Sequence, residues 1–163
     1  MNILELVKAA KKRDLTDHGA LLDYFESIRL LEEEDFKTAH ELNKEIRRIA
    51  NEEMIRQHST EMLEISKKAV LFDAPYDFDA YLRYVEWDRP IDKQFYIPRS
   101  HYLGRYVQAY QEILDGKLDF LSISMPKRTG KSQLGINFNC MLSGKEPEKA
   151  TIMEGTGDEL VQT

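Results

Sequence analysis

Cysteine and histidine are scarce in this sequence of 163 residues, and their scarcity excludes several classes of site. The one cysteine, Cys140, cannot form a disulfide within the chain, which is typical of proteins from a reducing compartment. The four histidines are scattered and form neither an H-E-x-x-H motif nor a Cys/His cluster with the spacing of zinc ligands. A disulfide scaffold and the common zinc sites are therefore excluded.

Long hydrophobic runs are also missing. No apolar stretch approaches the roughly 20 residues that a membrane-spanning helix needs. The first residues, MNILELVKAAKKR, lack the order of regions that defines a signal peptide. We therefore expect a soluble intracellular protein.

The formal net charge is −6 and is not evenly distributed along the chain. Residues 1–95 carry 15 Lys and Arg against 21 Asp and Glu, whereas residues 96–163 carry eight Lys and Arg against eight Asp and Glu. This acidity argues against a protein that coats nucleic acid by electrostatics alone. The local cluster of Lys127, Arg128 and Lys131 can nevertheless hold a polyphosphate.

Helical periodicity dominates the first 70 residues. Apolar side chains recur at helical spacing from Leu21 onward, and Thr16 or Asp17 can cap the start of that helix. Acidic and basic residues alternate on the other faces, which indicates solvated helices that pack on one side only. His40 and His58 lie on these helices and are expected at the surface.

Prolines interrupt the middle of the chain, between residues 72 and 100. We predict a connector there, with a short helix around Asp79–Trp87 and an extended segment at Phe95–Pro98. A further helix is predicted after it, which Ser100 can cap and Gly116 ends.

A strand, a loop, a helix and a second strand are predicted in succession after that helix. Residues 118–125, LDFLSISM, are apolar and rich in β-formers, a helix is predicted from Lys131, and residues 150–154 form the second strand. This order is that of a βαβ unit. We predict an α/β chain with a helical N-terminal region, residues 1–90, followed by a βαβ unit in the second part, residues 91–163.

The tripeptide Gly130-Lys131-Ser132 ends the pattern G-x-x-x-x-G-K-[ST], although Met125 stands where the first glycine belongs. A helix N-terminus offers free backbone N–H groups and a favourable dipole to a polyphosphate. Gly130 lets the backbone approach and turn tightly. Lys131 can reach the β- and γ-phosphates, and the Ser132 hydroxyl can bind Mg²⁺.

The residues before this tripeptide complete a predicted ATP site. Donors are expected from Arg128 through Ser132, Thr129 included, and Lys127 adds a further cation to the loop. Arg128 is the preferred candidate for stabilising charge on the transferred phosphate, which makes Lys131 and Arg128 the predicted catalytic residues.

A carboxylate that assists Mg²⁺ and activates water is harder to find. Asp73 ends an apolar run but precedes Pro75, so we interpret it as a helix-end or turn residue. Glu154 follows the second predicted strand, but its neighbours indicate a turn. The sequence therefore contains no convincing apolar strand that ends in Asp-Glu, the usual Walker B element.

The second half of the chain resembles a known family. The stretch FYIPRSHYLGRYVQAYQEILDGKLDFLSISMPKRTGKSQLG, followed by ATIMEGTGDELVQT, is similar to the N-terminal ATPase region of phage terminase large subunits. In that family the loop typically lacks the first glycine and has the pattern shown by Pro126–Ser132. The segment with Tyr96, Pro98 and Arg99 resembles the family's adenine-binding motif. The resemblance covers residues 95–163, and residues 1–90 would be the family's variable N-terminal part. It implies that residues 91–163 are the truncated beginning of a P-loop NTPase fold of the ASCE type.

The resemblance implies a motor that uses ATP and Mg²⁺ to drive double-stranded DNA into a phage capsid. It also implies a homo-oligomeric ring on the portal protein, a small terminase subunit as partner, and the cytoplasm of an infected bacterial host as location. The Walker B element and the nuclease domain of such a protein would lie beyond Thr163. We therefore expect a truncated chain that does not turn over ATP alone.

Two alternatives stay open. The chain could be another P-loop ATPase, such as a helicase, although helicases generally keep a glycine-rich entrance that MPKRTGKS lacks. It could instead be a helical protein-interaction module, in which the amphipathic N-terminal half is the working surface and the loop is not catalytic.

Overall fold

The computed structural model describes residues 2–148, and every regular element within them is a helix. The chain divides into two compact units, Met1–Ser100 and His101–Thr163. The described elements, in chain order, are α1 (Ile3–Lys11), α2 (His18–Leu31), α3 (Phe36–Gln57), α4 (Thr60–Asp73), α5 (Phe78–Glu86), two single 3₁₀ turns (Ile91–Lys93 and Ile97–Arg99), α6 (Ser100–Leu114) and α7 (Lys131–Lys145).

Short polar side chains start the helices of the first unit. The Asp17 carboxylate accepts a hydrogen bond from the Ala20 N–H at 2.9 Å, which confirms Asp17 as the cap of α2. Asp35, Ser59 and Asp77 cap the helices α3, α4 and α5 in the same way. The helical prediction for the first 70 residues is therefore confirmed, and so is the short helix predicted around Asp79–Trp87.

The first unit has an apolar core of its own. Helix α3 packs along α4, α1 packs on α2, α2 packs on both α3 and α4, and α4 packs on α5. The core side chains come from the inward faces of these helices and include Leu21, Ile28, Ile46, Met62 and Ile65, each at most 1% exposed. Burial of such side chains is the main source of the unit's stability.

The predicted βαβ fold is wrong for the described residues. Residues 118–125 form no strand, and between α6 and α7 the chain runs as irregular structure and turns. Apolar alternation makes a segment suitable for a sheet, but a strand exists only when a neighbouring strand takes its N–H and C=O groups. The described residues contain no such neighbour, and Phe120 is 80% exposed. The second predicted strand, residues 150–154, lies outside the described residues.

Two helices make up the described part of the second unit. Leu103 and Val107 of α6 are buried, as are Leu134, Phe138 and Met141 of α7, and the rings of Tyr110 and Phe138 lie 4.6 Å apart. Gly116, with φ +67°, follows the end of α6 as predicted.

Candidate functional site

The loop before α7 has a backbone suited to an anion. Gly130 is the N-terminal cap of α7 and adopts a left-handed conformation, φ +103° and ψ 12°. Arg128, two residues earlier, is also left-handed at φ +63°. The Thr129 hydroxyl donates to the Pro126 carbonyl at 2.7 Å and holds the turn between them. Left-handed residues placed this way turn successive N–H groups towards one side of the backbone.

The backbone N–H groups in the first turn of α7 are not used in hydrogen bonds within residues 2–148. Because the cap is a glycine, no side-chain oxygen accepts from the first N–H groups. The first amide bonded back to the loop is that of Leu134, which donates to the Gly130 carbonyl at 3.0 Å. Along residues 2–148, the N–H groups of residues 131–133 have no acceptor. They can therefore donate to a bound anion at the positive end of the helix dipole.

The side chains of the loop are cationic and accessible. Lys127, Arg128, Lys131 and Ser132 are exposed, and Thr129 is half-buried. Within the part of the chain that the structure describes, none of the three cations forms an ion pair. The predicted loop residues are neighbours in the sequence, and their charges are accessible in the structure.

The predicted adenine-binding residues belong to the first unit. Tyr96 is 1% exposed, and its hydroxyl donates to the Asp79 carboxylate. The Arg99 guanidinium donates to the Phe95 carbonyl at 2.8 Å, while Pro98 is exposed. The predicted extended segment Phe95–Pro98 is wrong from Tyr96 onward, since Tyr96 has helical backbone angles (φ −84°, ψ −49°) and Ile97–Arg99 forms a 3₁₀ turn. The adenine-binding role of these residues stays a prediction.

A carboxylate explains the conformation of this segment, and sequence reasoning missed it. Glu86, 1% exposed, accepts backbone N–H groups from Phe95 at 2.9 Å, from Tyr96 at 2.8 and 2.9 Å, and from Ile97 at 3.2 Å. One side chain therefore satisfies three consecutive amides and bends the backbone around itself. No sequence signal identifies Glu86, because the eight residues between it and Phe95 contain no helix-like periodicity.

Sequence reasoning also missed a charged network between α3, α4 and α5. The Arg47 guanidinium donates to Asp73 at 3.1 Å and to Asp79 at 2.9 Å, and Arg83 donates to Asp79 at 2.8 Å. Asp73 is the last residue of α4, as predicted, but it is 1% exposed. The spacing of four residues between Asp79 and Arg83 on one helix is the sequence signal that could have found part of the network.

His40 joins this network, which corrects its predicted surface position. Its Nδ1 lies 2.7 Å from Asp73 Oδ1 and its Nε2 lies 3.2 Å from Glu32 Oε1, and its side chain is 12% exposed. The Phe72 ring stacks on the imidazole at 4.5 Å. His40 therefore connects α3 to the buried end of α4.

Burial and charge pull the pKa of Asp79 in opposite directions. Burial raises the pKa, but the hydrogen bond and charge of Arg83, with Tyr96 and Arg47, hold the pKa of Asp79 below its ordinary value of 3.8. Burial first, and then the hydrogen bond to Asp79, raises the pKa of Tyr96 well above 10.0. Asp79 is therefore a charged acceptor at neutral pH, and Tyr96 is its neutral donor.

The fit of Mg²⁺ to the loop can be judged from the donors present. Mg²⁺ takes oxygen ligands and is usually bound by one or two protein groups together with phosphate oxygens and water. The exposed Ser132 hydroxyl in the first turn of α7 suits one such position. Residues 2–148 contain no cluster of three or more His, Cys, Asp or Glu side chains that could hold a metal. Glu154 lies outside the described residues.

Comparison of the chain with protein-family models, with curated proteins and with solved structures gave no match. Among the described helices, none is long and apolar enough to cross a membrane.

Proposed function

We propose that Pro126–Ser132 and the first turn of α7 bind the phosphate groups of ATP. We further propose that the chain is the N-terminal portion of a terminase large subunit, the motor that packages double-stranded DNA into a phage capsid. The single observation that supports nucleotide binding is the start of α7 at Lys131, behind left-handed Gly130, with its first N–H groups unbonded. The motor assignment depends on the sequence resemblance.

Each residue of the loop has a distinct part in holding phosphate. The N–H groups at the start of α7 donate to phosphate oxygens, and the Lys131 ammonium neutralises the β- and γ-phosphates. Lys127 adds positive charge, and the bond from Thr129 to Pro126 keeps the turn in shape. Arg128 stabilises charge on the terminal phosphate. Bound Mg²⁺, held in part by the Ser132 hydroxyl, supplies further neutralisation of phosphate charge.

The remaining parts of the proposal follow from the resemblance. Adenine would contact Tyr96, Pro98 and Arg99, of which Pro98 and Arg99 are exposed and accessible. Double-stranded DNA, the portal protein, the small terminase subunit and further copies of the same chain in a ring are the proposed partners. The cytoplasm of an infected bacterial host is the proposed location.

Binding of a fluorescent ATP analogue tests the proposal. Fluorescence anisotropy is measured with Mg²⁺ for the parent chain and for the substitution Lys131→Ala. Loss of a charge-assisted phosphate contact is expected to weaken binding by about tenfold or more. Lys145→Ala is the matched control, because it removes the same charge from the other end of α7, and it should leave binding within about twofold.

Ser132→Ala is expected to remove most of the enhancement of binding by Mg²⁺ while weaker Mg²⁺-free binding persists. Equal affinity of the parent chain and Lys131→Ala would contradict the proposed phosphate site.

A helical protein-interaction module is the second candidate function. The observation that favours it is the self-contained helical unit Met1–Ser100, which has its own apolar core. Nucleotide binding separates the two candidates. A well-folded chain that binds no ATP analogue at millimolar concentration would favour the interaction module over the motor.

A further inference from the structure

A cleft of about 500 Å³ opens on the first unit, between α3, α4 and α5. Its volume lies within the range of roughly 300–1,000 Å³ that is common for small-molecule sites. The lining is polar and charged on the α3 and α5 sides, with Ser66 and Val70 of α4 between them. The full lining consists of Lys44, Arg47, Arg48, Asn51, Ser66, Val70, Asp77, Asp79, Arg83 and Trp87.

Cationic side chains outnumber carboxylates in the lining of the cleft, although the unit around it is acidic. Four cationic side chains line it against two carboxylates, Asp77 and Asp79. Both carboxylates are already engaged within the wall. Asp79 accepts from Arg47 and Arg83, and Asp77 accepts from the Ala80 N–H at 2.8 Å with Arg47 3.7 Å away. Neighbouring cationic and N–H groups therefore already compensate the negative charge of both carboxylates.

The remaining cations lie on one face of α3 and are accessible. Lys44 is exposed and forms no ion pair with any described residue. Arg48, one turn later, donates to Glu52 at 2.9 Å, but both side chains are about 60% exposed. Such surface pairs contribute little and exchange readily for another anion. Asn51 adds an exposed amide three residues further along the same face.

An aromatic side chain also lines the cleft. Trp87 follows the last residue of α5, is half-buried, and contributes to the lining. An aromatic surface beside a group of cations is the combination that binds a base together with its phosphate. Arg47, which also lines the cleft, is held in place by its hydrogen bonds to Asp73 and Asp79.

We propose that this cleft binds a nucleotide, with its phosphate on Lys44, Arg48 and Asn51 and its base against Trp87. The site shares no residue with the loop at Pro126–Ser132 and does not depend on the function proposed for that loop. The nucleotide is either free or part of a single strand, because both present the same base and phosphate.

The chain contains one tryptophan, Trp87, and because it lines the cleft its fluorescence reports on ligand binding there. The complete chain is titrated with thymidine 5′-monophosphate, which lacks the β- and γ-phosphates that Lys131 is proposed to contact, and in a second arm with a hexamer of deoxythymidylate. Equilibrium dialysis measures binding independently of fluorescence. We expect saturable quenching of Trp87 and matching dialysis curves in at least one arm. Tighter binding of the hexamer identifies a strand as the natural source, and equal or weaker binding identifies a free nucleotide.

Substitutions locate the site. The double variant with Lys44→Ala and Arg48→Ala is expected to lose at least tenfold in affinity. The matched control replaces Lys37 and Arg56, which lie on the same helix outside the cleft, and should stay within twofold. Lys131→Ala should bind the monophosphate as the parent chain does. All four side chains of the two double variants are exposed, so circular dichroism should be unchanged.

Three results would overturn the inference. The first is no binding of either ligand at millimolar concentration. The second is an equal loss in the two double variants, which would indicate general electrostatic attraction. The third is loss of binding in Lys131→Ala, which would assign the ligand to the loop. Because Lys131→Ala is measured separately, a lack of binding at the cleft can be distinguished from a lack of binding at the loop.

Discussion

The substitution Glu86→Gln tests whether a buried carboxylate holds the segment that leads into α6. Glu86 is 1% exposed and accepts from the N–H groups of Phe95, Tyr96 and Ile97. Among the described residues no cation pairs with it. The three amides therefore provide the polar contacts that compensate for the burial of its charge.

The expected cost follows from the geometry of the two carboxylate oxygens. Phe95 donates to one oxygen, Ile97 donates to the other, and Tyr96 donates to both. Glutamine replaces one oxygen by an NH₂ group, so either the Phe95 or the Ile97 N–H faces another donor. An amide that loses its acceptor costs about 1–3 kcal/mol, and the other bonds lose the strength that an ionised acceptor gives them. Relief of charge burial offsets part of this, which leaves a net loss of about 2–3 kcal/mol.

Urea unfolding followed by Trp87 fluorescence measures this free energy, because Trp87 is the next residue along the chain. The midpoint is expected to fall while the slope with urea stays the same. Glu64→Gln, at an exposed position of α4, is the matched control and should change the free energy of unfolding by less than about 0.5 kcal/mol. If Glu86→Gln behaves like this control, the assigned role of the carboxylate as acceptor for three amides is incorrect.

Three further predictions concern the loop, the charged network and turnover. Gly130→Ala should destabilise the chain by about 1–2 kcal/mol in thermal or urea unfolding because φ is +103°, whereas Gly135→Ala, whose Cβ would lie 3.7 Å from the Tyr110 hydroxyl, should be neutral or stabilising. The pKa of Asp79 is lower in the folded chain than its unfolded value of 3.8. The ionised carboxylate therefore stabilises the folded chain above pH 3.8, and this stabilisation is lost as the pH falls through the folded pKa. The difference in unfolding free energy between the parent chain and Asp79→Asn should therefore shrink between pH 7 and pH 3, and a constant difference would contradict this. The purified chain should release no phosphate from ATP in a coupled assay, and measurable turnover by the monomer would refute that expectation.

Local interactions made the helices of this protein predictable from sequence. A helix closes its hydrogen bonds over four residues, so apolar spacing, a cap such as Asp17 and a left-handed glycine such as Gly116 define it within one short window. The start of α7 at Lys131 was predictable for the same reason, because Gly130 and the residues after it suffice to specify where the loop ends and the helix begins. The candidate phosphate site could therefore be located from the sequence.

Interactions between distant residues were decided by the tertiary structure. The segment 118–125 has a strand's composition, yet a strand requires a second segment beside it, and the described residues offer only helices. His40 and Asp73 meet because α3 packs on α4, and Glu86 meets Tyr96 because the segment after α5 folds back on that helix; no spacing in the sequence specifies these contacts. The cleft at Trp87 also arises from packing, since its lining comes from three successive helices and from Trp87 at the end of the third. Sequence by itself determined where the helices and the loop lie; packing determined which of their side chains are buried, paired or left accessible to a ligand.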